Sequence, residues 1–448
     1  MFGSFSVSAG WNRIGLVCAV LAVLVTIWSE AEGAVSITPR IIGGQEAQPD
    51  EWGFMAALRL YEKDKTGLVV VDVLLGEGDV QRYEARSIPG GVISTGIEGS
   101  LIDCGQGYAS CPEAAGNICL VESTVHLTPE RQAEMCWESG GIGVVVLANE
   151  RGLVYDRFKR IRHPIMPVVF VAGWNDALAL RNQVGGRARM EARTRLDSFC
   201  GGAYLGSGWV VTAAHCVDDA RTRGEIDFAV DIGGGDLAEQ GRQVFGVARI
   251  LVHGDFRKLP PLENDVALIE LDVIPEGVKP VRIADAALLN KLTRSKASAI
   301  AVGRGLRKRL PENSNDIDET WWTTKLFSTE LILSSREECN GRFNAYLDAV
   351  QDDRSPRNPV GESMMCAGQL DGSSGPCYGD SGGPLLVRTG SRYALVGLTS
   401  WGVNCAHPGL DDVFTNVTYF SKDIQNAIWV GRIHSMALFL LYMFTPFR

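Results

Sequence analysis

The residues best suited to chemistry are a serine in a glycine-rich hexapeptide and two residues upstream of it. The hexapeptide, residues 379–384, reads GDSGGP and contains Ser381. A serine exposed in such a turn, with backbone N–H groups pointing the same way, is typical of an acyl-transfer nucleophile beside an oxyanion hole. His215 lies in TAAHC and Asp265 in NDVAL. A histidine that accepts the serine proton and a carboxylate that orients its ring would complete the set.

The composition limits the class of protein. The 448 residues are enough for two or three domains, and 46% hydrophobic residues can form a sizeable core. A net charge of −10 argues against binding to nucleic acid or to an anionic membrane surface. The basic run Arg304–Arg309 is expected to be a solvated loop. The scattered histidines and the lack of a CxxC pair predict no metal site, and no cofactor is expected.

The N-terminus predicts a secretory signal. Arg13 precedes an apolar run over residues 14–28, and small residues at Ala31 and Gly33 suit cleavage, so residues 1–33 are assigned as a signal peptide. An uncleaved anchor is the alternative. The apolar C-terminal tail, residues 433–448, is too short in its apolar part to span a bilayer, so no stable membrane span is expected.

The predicted location is therefore extracellular, which agrees with the cysteine count. Cys18, one of eleven cysteines, lies within the signal, and the ten that remain are an even number suited to disulfides. Asn416 begins the one N-glycosylation sequon that we find, Asn416-Val417-Thr418.

The chain changes character twice. Residues 41–58 and 198–432 contain short apolar strands separated by Gly, Asp and Pro, which is typical of β-barrels. Residues 59–197 alternate strand-like runs with probable helices at 129–139 and 174–184, which indicates an inserted α/β domain.

The three motifs together, in the order His, Asp, Ser, resemble the trypsin/chymotrypsin family of serine proteases. The resemblance covers residues 41–58 and about 198–430. It implies a mostly β fold of two six-stranded antiparallel barrels with the active site between them. It also implies a catalytic triad of His215, Asp265 and Ser381, and an oxyanion hole formed by the backbone N–H groups of Gly379 and Ser381.

The resemblance further implies a zymogen. Residues 34–40 form a short activation segment that ends in Arg40, and Ile41-Ile42-Gly43-Gly44 follows. Cleavage after Arg40 would free the α-amino group of Ile41 to pair with Asp380, the acid that precedes the serine. A buried charge needs such a partner, so the oxyanion hole would be completed only after cleavage.

The specificity pocket departs from that of trypsin. The floor position, six residues before Ser381, is Gly375 instead of aspartate, while the wall position before Val413, normally glycine, is Asp412. Ser400, Trp401 and Gly402 match the family and should bind the substrate backbone. Two readings stay open: a displaced carboxylate that accepts basic residues as well as large apolar or amide-bearing ones, or an Asp412 that is neutralised or points away, leaving an apolar pocket.

Two further features follow from the resemblance. The family implies the disulfides Cys200–Cys216, Cys339–Cys366 and Cys377–Cys405, and we expect Cys104–Cys111 and Cys119–Cys136 in the insertion. The family usually has Gly-Trp-Gly where this chain has Gly303-Arg304-Gly305, which puts the geometry of that loop in doubt.

The inserted segment resembles a protease-associated domain in its runs 116–122, 138–146 and 165–171. Neither His126 nor His163 has paired acids or cysteines, so no second catalytic site is predicted there. A module at this hairpin could restrict or recruit protein substrates, and a passive insertion at a tolerant loop tip is the alternative.

The sequence thus predicts a secreted serine endopeptidase made as a zymogen. Its partners would be protein or peptide substrates and an activating protease, which could be the enzyme itself. A non-catalytic homologue acting as a binding protein, and a carrier whose function lies in the insertion, are the alternatives.

Overall fold

The computed structural model describes residues 41–63, 69–76, 80–87, 95–124, 126–148, 166–171, 173–223, 226–239, 242–259, 261–309 and 321–432. The predicted signal peptide, the activation segment with Arg40, His163 and the C-terminal tail lie outside these residues. No helix of the described part is both long and apolar enough to cross a membrane.

In chain order the strands are β1 (Gln45–Glu46), β2 (Met55–Leu60), β3 (Val70–Leu75), β4 (Gln81–Ser87), β5 (Thr95–Asp103), β6 (Ile118–Glu122), β7 (Gly143–Leu147), β8 (Val168–Val171), β9 (Arg187–Ala192), β10 (Cys200–Gly206), β11 (Trp209–Thr212), β12 (Phe228–Ile232), β13 (Gln243–Phe245), β14 (Val247–Val252), β15 (Ala267–Leu271), β16 (Arg282–Ile283), β17 (Ser298–Gly303), β18 (Phe327–Ser334), β19 (Met364–Gly368), β20 (Pro384–Thr389), β21 (Arg392–Trp401) and β22 (Asp412–Asn416). The helices are α1 (Pro129–Glu138), α2 (Trp174–Arg181), α3 (Ala214–Arg223), α4 (Ala286–Arg294), α5 (Arg336–Ala349) and α6 (Ser421–Arg432).

The first barrel is an antiparallel sheet in the order β13-β12-β2-β10-β11-β15-β14. Its two end strands are consecutive in the chain and separated only by Gly246, so one bent strand joins the ends of the sheet and gives the expected count of six. A side chain on Gly246 would overlap the Asp272 carboxylate, which explains the glycine at the bend.

The second barrel closes as a ring of six antiparallel strands, β18-β17-β20-β21-β22-β19, through the additional pairing of β18 with β19. β1 adds to its edge, and β16 pairs in parallel with β21. A buried apolar cluster runs from the first barrel (Trp209, Ile269) into β21 (Leu395) and α6 (Ile424). The two barrels therefore share one core, which fixes the cleft between them.

The inserted segment forms a third closed barrel, in the order β3-β4-β8-β7-β6-β5-β9. β5, β6, β7 and β8 run parallel, and the remaining pairs are antiparallel. α1 begins at an N-cap, Thr128, whose side chain accepts the N–H of Arg131, and Pro129 occupies its first turn. α2 stops at Arg181, three residues before the expected end, and Gly185, with φ of 85°, lies in the turn that follows.

The insertion joins the first barrel through a paired two-stranded junction. Residues 58–62 and 193–199 exchange backbone hydrogen bonds, among them Glu62 to Arg193 and Phe199 to Leu58. Two residues of the first barrel, Ala229 and Val244, pack against the apolar core of the insertion. The insertion is thus a packed extension of this barrel.

Candidate active site

The loop that carries Ser381 connects β19 to β20 and can be built only with glycine at two positions. Gly379 has φ of 91° and Gly382 has φ of 75°. A Cβ on Gly379 would lie 2.6 Å from Trp322, and one on Gly382 would lie 2.2 Å from Thr212 Oγ1. Within the described residues, neither the Gly379 nor the Ser381 N–H donates to a protein acceptor. Both remain available to an incoming oxyanion.

His215 and Asp265 meet across the first barrel. Asp265, 2% exposed, accepts a hydrogen bond of 2.8 Å from His215 Nδ1 and another of 2.9 Å from the His215 backbone N–H. The ring bond places the imidazole proton on Nδ1 and leaves Nε2 as the acceptor. Asn264, with φ of 53°, turns the chain into this position.

Two hydroxyl groups support the aspartate. Ser400 Oγ donates to Asp265 Oδ2 at 2.5 Å, and Thr415 Oγ1 donates to the Asp265 carbonyl at 2.7 Å. The sequence assigned Ser400 only to substrate binding and missed Thr415 altogether. Both residues lie in β21 and β22, so the second barrel orients a triad member of the first.

The Ser381 hydroxyl makes no hydrogen bond to His215 in the described structure. His215 Nε2 instead lies 3.8 Å from the sulfur of Cys216. Catalytic hydrogen bonds are often long in unliganded sites and tighten when substrate binds. The three residues converge on one cleft, with the Ser–His contact still open.

A cavity of roughly 190 Å³ extends from Ser381 and is lined in part by Ser400, Trp401, Gly402 and Asp412. A Cβ on Gly375 would lie 2.7 Å from Asp412 Oδ2, and one on Gly402 would lie 3.0 Å from Oδ1. The Asp412 carboxylate therefore occupies the space that side chains at these two glycines would need.

Two adjacent carboxylates have opposite environments. Asp411, 2% exposed, accepts hydrogen bonds from Arg342 at 2.6 and 2.9 Å and from Ser334 at 2.9 Å. No group of the described residues donates to the Asp412 carboxylate. Burial, followed by the charges of Asp411 and Asp380, raises the pKa of Asp412 well above its ordinary value.

Asp380 is buried, and no cation of the described residues pairs with it. Its carboxylate accepts N–H groups from Gly305 at 2.7 Å and Cys377 at 2.9 Å, and burial raises its pKa to about 6. Ile41 is 1% exposed, and its backbone has φ of 25°. The Ile42 carbonyl accepts the N–H of Gly375, so the segment that begins at Ile41 contacts the pocket loops.

The expectation of a solvated basic loop at Arg304–Arg309 is wrong for Arg304, whereas Lys308 and Arg309 are exposed. Arg304 is 3% exposed and donates to the carbonyls of Gly233, Gly235 and Thr324. Arg309 donates to the carbonyls of Cys405, Gly372 and Ala406 on the pocket loops. Both arginines satisfy backbone acceptors, which net charge and run length do not reveal.

The structure contains the five expected disulfides: Cys104–Cys111, Cys119–Cys136, Cys200–Cys216, Cys339–Cys366 and Cys377–Cys405. Cys200, His215 and Cys216 lie close enough together to suggest a metal site, but both sulfurs are bonded to each other. The arrangement is that of a disulfide beside the imidazole.

Asn416, the sequon residue, is half-buried at the end of β22. Its Oδ1 accepts the Thr418 hydroxyl at 2.7 Å and the N–H of Tyr419 at 3.3 Å. Both bonds use Oδ1 and not Nδ2, the nitrogen to which a glycan would be attached.

Comparison with known proteins agrees with this geometry. Residues 179–424, more than half of the chain, match the family model described as trypsin. The chain belongs to the trypsin family of serine proteases.

Two relatives in this family are both described as vitamin K-dependent protein C. The protein from Mus musculus is 28% identical over 235 residues, and the one from Rattus norvegicus is 27% identical over 234. Each alignment covers 51% of this chain and 46% of the relative. The chain therefore spans about half the length of these relatives.

Proposed function

We propose that this protein is a serine endopeptidase that cleaves peptide bonds through an acyl-enzyme. The observation that carries the proposal is the buried Asp265, which holds His215 by two hydrogen bonds beside the cleft that contains Ser381. This arrangement leaves Nε2 of His215 unprotonated and able to accept a proton.

Each residue then has a role that its contacts support. His215 Nε2 takes the proton of Ser381 Oγ as the hydroxyl attacks the scissile carbonyl, and later gives it to the leaving amine. Asp265 stabilises the imidazolium. The Gly379 and Ser381 N–H groups bind the developing oxyanion, and a donor of this kind contributes about 2.7–4 kcal/mol to lowering the barrier.

The same proposal includes activation by cleavage after Arg40. Support comes from the buried carboxylate of Asp380, which pairs with no cation of the described part of the chain, and from the contact of Ile42 with the pocket loop at Gly375. The free ammonium of Ile41 would supply the missing counter-charge. Until then, burial keeps Asp380 partly protonated near neutral pH.

For specificity we propose a displaced carboxylate. Gly375 and Gly402 leave room for Asp412, and a carboxylate without a protein donor is suited to receive a substrate guanidinium or ammonium. Because burial raises the pKa of Asp412 and so favours its uncharged form in the empty pocket, large apolar and amide-bearing side chains remain acceptable. A panel of peptides with Arg, Lys, Phe, Leu or Gln at the cleaved residue measures this preference.

For the insertion we propose a protease-associated domain that acts on protein substrates. Trp174 and Leu178, four residues apart on α2, are 38% and 46% exposed. We expect Trp174→Lys and Leu178→Lys to slow protein hydrolysis but not short-peptide hydrolysis. Trp137→Lys, at an exposed tryptophan on α1, is the matched control. Equal rates on both substrates for every variant would favour a passive insertion.

We further propose that the protein is secreted, which five disulfides and the apolar N-terminal run support. An activating protease, which could be the enzyme itself, is part of this proposal.

The test of catalysis is covalent labelling by a fluorophosphonate after cleavage at Arg40. We expect Ser381 to be labelled in the cleaved protein and not in Ser381→Ala. The missing Ser381–His215 hydrogen bond is the observation that favours a non-catalytic homologue. Failure of the cleaved protein to react would establish that alternative.

A further inference from the structure

A buried cluster of charges connects the insertion junction with the loop beneath the nucleophile. It consists of three arginines and one aspartate: Arg59, Arg242, Arg304 and Asp231. Asp231 is fully buried and forms ion pairs with Arg59 and Arg242. The side chains of these two arginines are 6% and 9% exposed. Glu239, 62% exposed and 3.9 Å from Arg242, and Asp236, whose charge acts on Arg304, also lie nearby, but Asp231 is the fully buried anion, so the remaining donors need other acceptors.

The first part of the cluster lies at the junction. Arg59 is the penultimate residue of β2, where it donates Nε to the carbonyl of Arg195 at 2.8 Å and Nη1 to Asp231 at 2.7 Å. Asp231 follows Ala229 by two residues on β12, so both face the same side of the sheet. Ala229 belongs to the apolar core of the insertion, which places Asp231 on the covered face.

The second part runs to the loop after β12. Arg242 donates to Asp231 at 2.7 and 2.8 Å and to the carbonyl of Gly233 at 3.2 Å. Arg304 donates to that same Gly233 carbonyl at 2.9 Å and to Gly235 at 2.7 Å. The Gly233 carbonyl therefore accepts hydrogen bonds from the guanidinium groups of both Arg242 and Arg304.

The third part is the support of the oxyanion loop. The Gly305 N–H donates to Asp380, and the Leu306 N–H donates to the carbonyl of Tyr378 at 2.7 Å. A Cβ on Gly303 would lie 2.0 Å from Asp380 Oδ1, so the backbone on both sides of Arg304 is pressed against this carboxylate. The Arg304 side chain points the other way, into the cluster, and anchors the segment.

The geometry points to Arg304 as a positioning residue for the oxyanion hole, held by a charge cluster that the insertion shares through Arg59. This inference rests on the proposed protease function. Arg304 touches no substrate and acts through the Gly303–Gly305 segment. The cluster makes the junction of the insertion part of the support of the catalytic loop.

The experiment uses the full chain, cleaved at Arg40, with active sites counted by a burst titrant. Arg304→Lys keeps the charge but cannot reach all three carbonyls. We expect its acylation rate at saturating peptide to fall about tenfold or more, a smaller fall than removal of an oxyanion-hole donor causes. The KM should stay within about twofold of that of the unchanged protein. Arg59→Gln should lower the same rate about threefold, and the double variant should be non-additive.

Lys63→Gln is the matched control. Lys63 lies at the same junction and pairs with Asp227 at 3.3 Å, outside the cluster. Its rate should equal that of the unchanged protein. A folded Arg304→Lys variant with an unchanged acylation rate would overturn the inference. It would also be overturned if Lys63→Gln lowered the acylation rate as much as Arg59→Gln does. Where Arg304→Lys does not fold, the comparison of Arg59→Gln with Lys63→Gln decides.

A second readout does not depend on activity. Hydrogen exchange of the amides in segments 303–306 and 377–383 should be faster in Arg304→Lys and in Arg59→Gln than in the control. If the unchanged protein is inactive, the proposed function fails while exchange still tests the positioning role. Unchanged exchange in both variants would refute that role.

Discussion

Replacing Asp412 by asparagine removes the one carboxylate that lines the described part of the specificity cavity while preserving its shape. A substrate arginine would then face a buried amide in place of a carboxylate. Losing one partner of a buried ion pair costs about 3 kcal/mol. At about 1.36 kcal/mol per decade, the value of kcat/KM for an Arg peptide should fall roughly 150-fold. The value for the matching Phe peptide should change little.

The pH dependence gives a sharper form of the same prediction. Because burial raises the pKa of Asp412, the empty pocket holds a neutral carboxyl group in acidic solution and ionises as the pH rises. The ratio of kcat/KM for Arg over Phe peptides should therefore increase with pH. Taking the ratio cancels every effect of pH that the two substrates share. In Asp412→Asn the ratio should be independent of pH.

The assay compares both peptides from pH 5 to pH 9, a range of about four units around the histidine pKa. The double variant Gly375→Asp/Asp412→Gly is the control, because it returns one carboxylate to the floor and frees its space. We expect it to prefer Arg, while Asp412→Gly alone does not. An Arg preference that survives Asp412→Asn at pH 8 would refute the reasoning.

The remaining predictions concern stability and catalysis. The uncleavable variant Arg40→Gln should lose stability as pH rises from 3.8 through about 6, because folded Asp380 holds its proton more tightly than the unfolded chain does. The cleaved protein, with its ion pair, should not, and thermal unfolding at several pH values measures the difference. Arg342→Gln should lower the free energy of unfolding by about 3 kcal/mol, because Asp411 would remain buried and charged, and urea denaturation checks this. Ser400→Ala should lower kcat about tenfold, by removing one support of the triad carboxylate, with KM nearly unchanged in steady-state assays.

The sequence was informative where chemistry demands particular residue types at particular places. The motifs around His215, Asp265 and Ser381, with Gly379 beside the serine, identify a family and so a fold. Three cysteine pairs also follow from the family, whereas the four cysteines of the insertion allow three pairings, of which the structure contains the one expected.

The charge pairs across the fold were not predictable. Arg342 and Asp411 are 69 residues apart, and Arg59 and Asp231 are 172 apart. Nothing in the local composition shows that such residues meet. The basic run was read as solvated because buried arginines are rare, and the carbonyl acceptors of Arg304 exist only after folding.

The conformation of Ile41 has a consequence for the direction of activation. A φ of 25° is unfavourable for a β-branched residue and typically costs about 1–3 kcal/mol. This dihedral is defined by the carbonyl carbon of Arg40, so hydrolysis of the bond between Arg40 and Ile41 does not merely relax the angle but abolishes it. The cleaved product would no longer carry this strain, and joining the two ends again would have to re-form the strained angle. Relief of backbone strain would therefore favour hydrolysis over religation, even before the new ammonium group pairs with Asp380.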